Sequence, residues 1–543
     1  MRTASLVALV GCILASTPIA TYGDSSPPGR LIATGWDAPS PARFREGLSQ
    51  FERWGAFDGT TIAPTRKQAD GRTVNSRNAF GREHWQWSEF ADAVRDLREV
   101  KPVTATNNFL FLYANPGDVD WFDDEGWQEV VDHWRLLARL ACEGGLQGVL
   151  FDAEPYTPPH SQFKYIAQTQ RDRHTFVEYC SKARQRGREV MKAVAAEFPG
   201  ITLMTYRLFC DLLPTLDTGN LTAAIEPSTY GLVPAFVDGW CDEMPPTVRI
   251  IEGDEDAYRF NSQAEFDRAF IRLKLRASEF VSPQNRVKFR TQYDVGHGIY
   301  LDAHVNPPTS PWYIDRLGGA SAERLKANVS SALAASDGFI WIYGEHGRWW
   351  PGPSEKYPPW PEKLQGADVA LRHAKDPTGA ARAALAHAEP QDNRLQNSRF
   401  ADLVEEKPTA WWTWQDKNSH GRMSVDEGAA CIAGAANAVF GQNVPVKPGE
   451  TYALRCRIRS TGRGFACVTI GWKDSKEKWT QESARRRFAP LSDSKAEGWH
   501  EAVGEVQIPP GATQLIFMLS VQGQLTESDR ACFDDAILLK TDN

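Results

Sequence analysis

The chain lacks an excess of positive charge, any Cys-x-x-Cys pair, and any Cys/His cluster at metal-ligating spacing. Its 61 Lys and Arg stand against 69 Asp and Glu, a net charge of −8, with a pI of about 5.9. That balance argues against a nucleic-acid or anionic-membrane partner, because neither attracts an acidic surface. Beyond the N-terminus, no stretch approaches the ~20 uninterrupted apolar residues of a membrane span, so no transmembrane segment is expected. Low-complexity segments are absent too, and the only internal rhythm is an alternation of strand-like and helix-like runs.

Cysteine is scarce, with 9 in 543 residues. Besides Cys12, Cys142, Cys180, Cys210 and Cys241 fall in the first two-thirds and Cys431, Cys456, Cys467 and Cys532 in the last third. Even numbers in an exported chain permit disulfides but leave their pairing open. Residues 1–23 have the pattern of an export signal: Arg2, an apolar run over 4–16, then small residues before a cleavage near Ala20 or Gly23. Leu9-Val10-Gly11-Cys12 is similar to a bacterial lipobox, but few residues precede it. The expectation is export to the periplasm or exterior, with a lipid anchor the less favoured alternative.

A hydrophobic fraction of 42% over 543 residues is enough for large cores in two or three domains. From about 30 to 350, eight strand-like runs occur at 31–37, 57–63, 107–114, 147–154, 201–207, 247–253, 287–294 and 338–345. Helical stretches lie between them at 87–100, 127–143, 172–198, 263–280 and 320–336, with apolar residues three and four apart, as in Val130, Trp134, Leu137 and Ala141. This is the pattern of an α/β fold, a (β/α)8 TIM barrel over 30–375. Residues 376–394 have the texture of a linker. From 395 to 543, short alternating runs separated by turns such as Lys447-Pro448-Gly449-Glu450 predict an all-β jelly-roll sandwich.

The run Gly148-Val149-Leu150-Phe151-Asp152-Ala153-Glu154-Pro155-Tyr156 is the most informative. It is an apolar strand ending in two carboxylates two residues apart, and residues i and i+2 of a strand share a face. Such a strand end either caps the next helix or delivers paired acids to a barrel mouth, where active sites lie. The other strand ends bring more polar and aromatic residues there. Strands 1 and 3 offer Trp36 and Asp37, Tyr113 and Asn115, while strands 4 and 5 add Tyr156, Tyr206 and Arg207. Strand 6 offers Glu252, Asp254 and Glu255, which read equally well as a solvated acidic loop. Strand 7 ends in Gln292, Tyr293, Asp294 and His297, and strand 8 in Tyr343, Glu345, His346, Trp349 and Trp350. The last two Trp residues serve as a sugar platform or as lid packing.

Glycosidic bond cleavage needs one protonated carboxyl for the leaving oxygen and a second group to stabilise or attack the sugar cation. Glu154 is the expected acid and Asp152 its stabiliser or second carboxylate; Glu252, Glu345 and Asp294 compete for the remaining role. With 19 Trp, 14 Tyr and 26 Phe in the chain, aromatic faces for sugar stacking are plentiful.

The run 147–154 resembles the strand-4 signature of glycoside hydrolase family 18-like barrels, matching at Gly148, Asp152 and Glu154. That resemblance implies a carboxylate acid assisted by the substrate's own acetamido group. The last third resembles carbohydrate-binding modules of the family 4/9/22 jelly-roll type, through Asn397-Ser398-Arg399-Phe400, 446–452 and Phe533-Asp534-Asp535-Ala536. It implies sugar-stacking roles for Trp411, Trp412 and Trp414, with Trp472 and Trp479 divided between stacking and core. The expectation is a monomeric glycoside hydrolase acting on a polysaccharide or glycan, without a cofactor or catalytic metal; a structural Ca²⁺ in the sandwich stays open. The alternatives are a glycan-binding protein on a degenerate barrel and a scaffold protein.

Overall fold

The computed structural model describes residues 29–352, 357–480, 486–490 and 498–541. The expected export signal and Cys12 lie outside the described residues. Nine parallel strands build a nearly closed barrel: β1 (Arg30–Gly35), β2 (Gly59–Ile62), β3 (Phe109–Pro116), β4 (Gly148–Asp152), β5 (Thr202–Thr205), β6 (Arg249–Glu252), β7 (Tyr293–Val295), β8 (His297–Tyr300) and β9 (Phe339–Gly344). Their order is β7-β6-β5-β4-β3-β2-β1-β9-β8. β7 and β8 are separated only by Gly296, yet β7 pairs with β6 and β8 with β9. The circle therefore closes through one broken strand. Helices on the outside include α1 (Pro41–Glu52), α2 (Ala91–Glu99), α3 (Asp124–Glu143), α4 (Phe176–Glu197), α5 (Val233–Glu243), α6 (Gln263–Arg276), α7 (Arg286–Gln292) and α8 (Ser321–Ala334).

The broken strand corrects one expected element. The strand-like run 287–294 is mostly not a strand: 286–292 is helix α7. Val287 faces solvent while Phe289 is buried, so only one of the two apolar residues reaches the core.

Side-chain parity governs the barrel. Ile32, Phe109, Phe111, Leu150, Met204 and Ile251 point inward to one apolar cluster. Their neighbours Leu31, Leu110, Val149, Leu203 and Ile250 point outward into a larger layer shared with the helices. The N-terminal end of the barrel interior is tied by the Arg249–Asp294 ion pair, with Nε 3.0 Å from Oδ2.

The helices that follow β9 include α9 (Ala367–Lys375) and α10 (Pro377–Leu385). The stretch 376–394, expected as a linker, thus contains an ordered helix, whose Ala381 and Leu385 pack on Ala453 and Val503 of the last third. A further tie joins the halves: Lys326 Nζ lies 2.7 Å from Glu505 Oε1.

The last third is an antiparallel sandwich. One sheet has the order β10 (Trp412–Gln415), β13 (Asn437–Pro445), β19 (Gln514–Gln522), β15 (Phe465–Lys473), β16 (Trp479–Thr480), with β17 (Arg486–Phe488) also paired to β15. The other has the order β11 (Arg422–Asp426), β12 (Ala429–Ala433), β20 (Arg530–Lys540), β14 (Thr451–Thr461), β18 (His500–Gln507). Alternation sends Val468, Ile470, Trp472, Phe517 and Leu519 into the core between the sheets. Cys431 and Cys532, directly opposite on β12 and β20, form a disulfide. The other described cysteines are free thiols. No described helix is long and apolar enough to cross a membrane.

Gly148 opens β4, where a Cβ would stand 2.0 Å from the Thr202 carbonyl oxygen. Substitution must push β4 away from β5. Gly148→Ala is expected to cost about 1–3 kcal/mol, read as a lower midpoint in thermal or urea unfolding; an unchanged midpoint would show that this strand spacing is soft.

Candidate active site

A cavity of about 600 Å³ opens at the C-terminal ends of the barrel strands. Inward parity carries Tyr113, Asp152, Tyr206, Tyr300 and Tyr343 to this level, directly above the apolar interior. Glu154 and Glu345 follow two residues after Asp152 and Tyr343 and line the cavity, as do Trp36, Asn115, Tyr156 and Glu255.

The end of β4 is closely held. Asp152 is fully buried, and its Oδ1 accepts the Glu154 N–H at 2.8 Å. The Tyr156 hydroxyl lies 2.9 Å from Asp152 Oδ2 and 2.8 Å from Glu154 Oε2. Asn115 clamps the turn from the side: its Nδ2 donates to the Glu154 carbonyl at 3.0 Å and its Oδ1 accepts the Tyr156 N–H at 2.9 Å. A hydroxyl carries one proton, so Tyr156 donates to only one carboxylate at a time. The second carboxyl meets an oxygen lone pair and must bring a proton of its own. Burial pushes the Asp152 carboxyl up to about 8, with further upward pressure from Glu154 and Glu255, so at neutral pH Asp152 carries a proton.

Glu345 stands elsewhere on the same rim. Its backbone N–H donates to Asp302 Oδ2 at 2.8 Å, and desolvation raises its carboxyl against a hydrogen bond from Tyr300. Asp302 Oδ1 also receives His346 Nδ1 and Lys363 Nζ, each at 3.0 Å. The His346 ring lies 5.6 Å from the Trp36 ring, at the edge of the cavity. Glu255 is neutralised by Arg207, whose Nε is 3.0 Å from Oε2, and Arg207 also pairs with Asp211.

Several expected residues sit elsewhere. On β6, Ile251 points inward, so parity turns Glu252 outward. There it accepts the N–H groups of Leu208 at 2.9 Å and Phe209 at 2.7 Å, and Tyr293 donates its hydroxyl to it at 3.3 Å. Burial raises this carboxyl to about 7. Asp254, with a left-handed φ of 46°, is buried against His297, whose Nδ1 lies 2.7 Å from Oδ2 and whose Nε2 lies 2.7 Å from the Ala335 carbonyl. Asp294 and Gln292 lie at the opposite end of the barrel, on Arg249 and on the Pro245 and Val248 carbonyls respectively. That is the consequence of the displaced seventh strand. Asp37 binds Arg43 at 2.7 Å and accepts the N–H groups of Trp349 and Trp350. Those two Trp are packing residues rather than a platform: Trp350 stacks on Phe51 at 4.3 Å and Trp349 meets Phe57 edge-on at 4.8 Å. Cys210, Asp254 and Asp256 are the one described group whose ligand atoms lie within 4.8 Å of one another; none of them lines the cavity.

The cavity also contains residues that sequence reasoning missed. Asn78 opens a short strand, Asn78–Phe80, paired to the far end of β3, and Arg77 stands just before it, its carbonyl accepting the Tyr113 N–H. Thr157 and Trp312 come from loops, Tyr258 from a short 3-10 helix, Glu255–Arg259, and Tyr300 from the true end of the seventh strand. Placing that strand six residues later would have found Tyr300; the loop residues carry no periodic signal.

The sandwich has a second concavity, about 680 Å³, on the outer face of the sheet containing β10. Trp412 and Trp414 border it on one edge strand and Trp479 on the other. Trp412 lies flat over Gly441, where a Cβ would meet its ring at 2.2 Å, and its Nε1 donates to Asn443 Oδ1 at 2.9 Å. Trp411, expected among the stacking residues, is instead buried beside Phe400 and Phe517.

No family model and no curated protein matches the chain. Among solved structures, it is similar to the enzymatically active domain of tailspike protein 4 from bacteriophage CBA120, with 13% identity over 28% of this chain and 22% of that one and a TM-score of 0.23. An arabinose-bound α-L-arabinofuranosidase, MgGH51, matches at 14% identity over 27% of this chain and 26% of that one, TM-score 0.22. A CBM4 structure matches at 16% identity over 27% of this chain and 99% of that one, TM-score 0.21. The chain thus covers about a quarter of the length of the first two.

The buried Asp152 has a pH signature. Its carboxyl titrates from 3.8 up to about 8 on folding, so between those values the native state holds a proton the unfolded state has lost. Stability therefore falls as pH rises through about 4 to 8. Asp152→Asn, a neutral isostere, is expected to flatten that decline and to gain relative to the parent at pH 9. Thermal midpoints of both proteins from pH 4 to 9 test this; parallel curves would refute it.

Proposed function

We propose that the barrel mouth hydrolyses glycosidic bonds in a polysaccharide or glycan, and that the chain is an exported enzyme whose sandwich holds the same polymer. The observation that carries this reading is the Asp152–Tyr156–Glu154 array at the floor of an aromatic cavity. Glu154 reaches the cavity and Asp152 does not, which divides their roles. Glu154 donates the proton to the leaving oxygen. Asp152 stores that proton, because burial favours its neutral form.

Tyr156 connects them. When Asp152 holds the shared proton, its O–H points to the Tyr156 oxygen and Tyr156 donates to the Glu154 carboxylate. Shifting both protons one place leaves Asp152 ionised, Tyr156 neutral and Glu154 protonated. Net charge does not change, so the shift needs no counter-ion. Glu345 supplies the second carboxylate, which stabilises or attacks the sugar cation. The faces of Trp36, Tyr113, Tyr258 and Tyr343 bind the apolar faces of sugar rings.

Reducing-sugar release on a panel of polysaccharides and aryl glycosides is the test. Glu154→Gln is expected to lower turnover by about 10²–10⁴-fold, and loss of the second carboxylate in Glu345→Gln to lower it comparably. Tyr156→Phe breaks the relay, so the alkaline limb of the pH–rate profile should move to lower pH. Turnover unaffected by Glu154→Gln would remove the proposed acid. No turnover on any glycan would favour a binding protein on a degenerate barrel.

A further inference from the structure

Two clefts of this chain display cations that no described residue neutralises. In the barrel cavity the cation is Arg77. Its guanidinium lies 4.8 Å from the centre of the Tyr113 ring, and among the described residues it has no ion-pair partner and its side chain makes no hydrogen bond. The contrast with Arg207 is direct: that guanidinium, behind the same cavity, is matched by both Glu255 and Asp211. A cation that only balanced the catalytic carboxylates would pair with one of them. Arg77 instead presents an open planar fork beside an aromatic wall.

The sandwich groove repeats the pattern independently. Lys473 and Arg487 line it together with Trp412, Trp414 and Trp479, and no carboxylate does so among the described residues. Lys473 Nζ lies 5.4 Å from the Trp479 ring centre, and neither cation has an ion-pair partner among the described residues. In a chain of net charge −8, a groove whose described lining has two unpaired cations and no acid is a local reversal of sign. Trp rings alone suit any sugar face. Rings interleaved with unmatched cations suit a sugar that carries negative charge.

We infer that the glycan taken by both clefts is anionic: a polymer bearing carboxylate or sulfate groups, held by Arg77 in the barrel and by Lys473 and Arg487 on the sandwich. A guanidinium accepts either group through two parallel N–H···O bonds, and an ammonium does so as a point charge. The barrel half of this inference rests on the hydrolase reading; the sandwich half stands without it.

The test uses the full chain carrying Glu154→Gln, so that bound glycan persists. It is titrated calorimetrically with hexuronate oligosaccharides (polygalacturonate, alginate, hyaluronan, heparosan), each beside its carboxyl-reduced form, and with chondroitin sulfate beside its desulfated form. At least one charged glycan should bind about tenfold or more tighter than its neutral counterpart, with affinity falling as salt rises. Preference within the carboxylate pairs identifies a uronate, and within the sulfate pair a sulfate ester. Arg77→Met, and separately Lys473→Met with Arg487→Met, should each erase much of that preference while binding of the neutral form stays; unchanged thermal midpoints confirm folding. Neutral forms that bind as tightly across the panel, or a preference untouched by these substitutions, would overturn the inference. Turnover is read in parallel on the parent chain with the same panel, and turnover of neutral glycans alone there would overturn the inference while leaving the hydrolase reading intact. Binding of a charged glycan without any turnover would do the reverse, and no binding or turnover of any glycan would overturn both.

Discussion

Parity on short strands is the constraint from which the barrel mouth follows. A residue on these strands has two destinations, the closed interior or the helix layer, and its neighbours take the other one. Leu150 inward makes Asp152 inward, and Trp341 and Tyr343 inward lead to Glu345. Ile251 inward makes Glu252 outward, where its carboxylate fastens the backbone after β5 instead of meeting a ligand. One rule thus separates three acids at three strand ends into two that face the mouth and one that braces the wall.

That rule was legible in the sequence wherever the strand ends were placed correctly. For β4 the spacing of Asp152 and Glu154 pointed to a shared face, and both carboxylates meet at Tyr156. What the spacing did not reveal is that only Glu154 reaches the cavity, since depth depends on how far the neighbouring strands extend. The acids after β6 were misplaced because a cluster of like charges carries no parity signal until the last inward residue is known. On the seventh strand the error was positional. Val287 and Phe289 alternate, but the segment is a helix, so Asp294 falls at the start of the strand and Tyr300 at its end. The bulky pair Trp349 and Trp350 had two destinations on sequence grounds, and the three Phe residues of the α1 region decided for burial. Arg77 was invisible, because it stands in an irregular segment just before a three-residue strand, where there is no periodicity to read.

The sandwich obeys the same two-residue alternation with a different outcome, since only one face of each sheet is covered. Ile470 and Trp472 go to the core, and Thr469 and Lys473 go to the groove. The Trp residues sort accordingly: Trp411 and Trp472 stabilise the fold, while Trp412, Trp414 and Trp479 remain on the open side. Gly441 permits the flat seat of Trp412, so a residue with no side chain sets the plane of the ring beside it.

The helix α10 has a mechanical meaning. It follows α9 almost without interruption and buries Ala381 and Leu385 against the sandwich, while Lys326 and Glu505 add a second anchorage. A flexible tether would give a captured ligand an effective concentration that varies smoothly with reach. A splinted junction sets a fixed gauge instead. Under the proposed function, a glycan shorter than the gap between the two concavities would meet each one separately, and a longer one would engage both at once. Avidity in such a molecule switches on at a threshold of chain length.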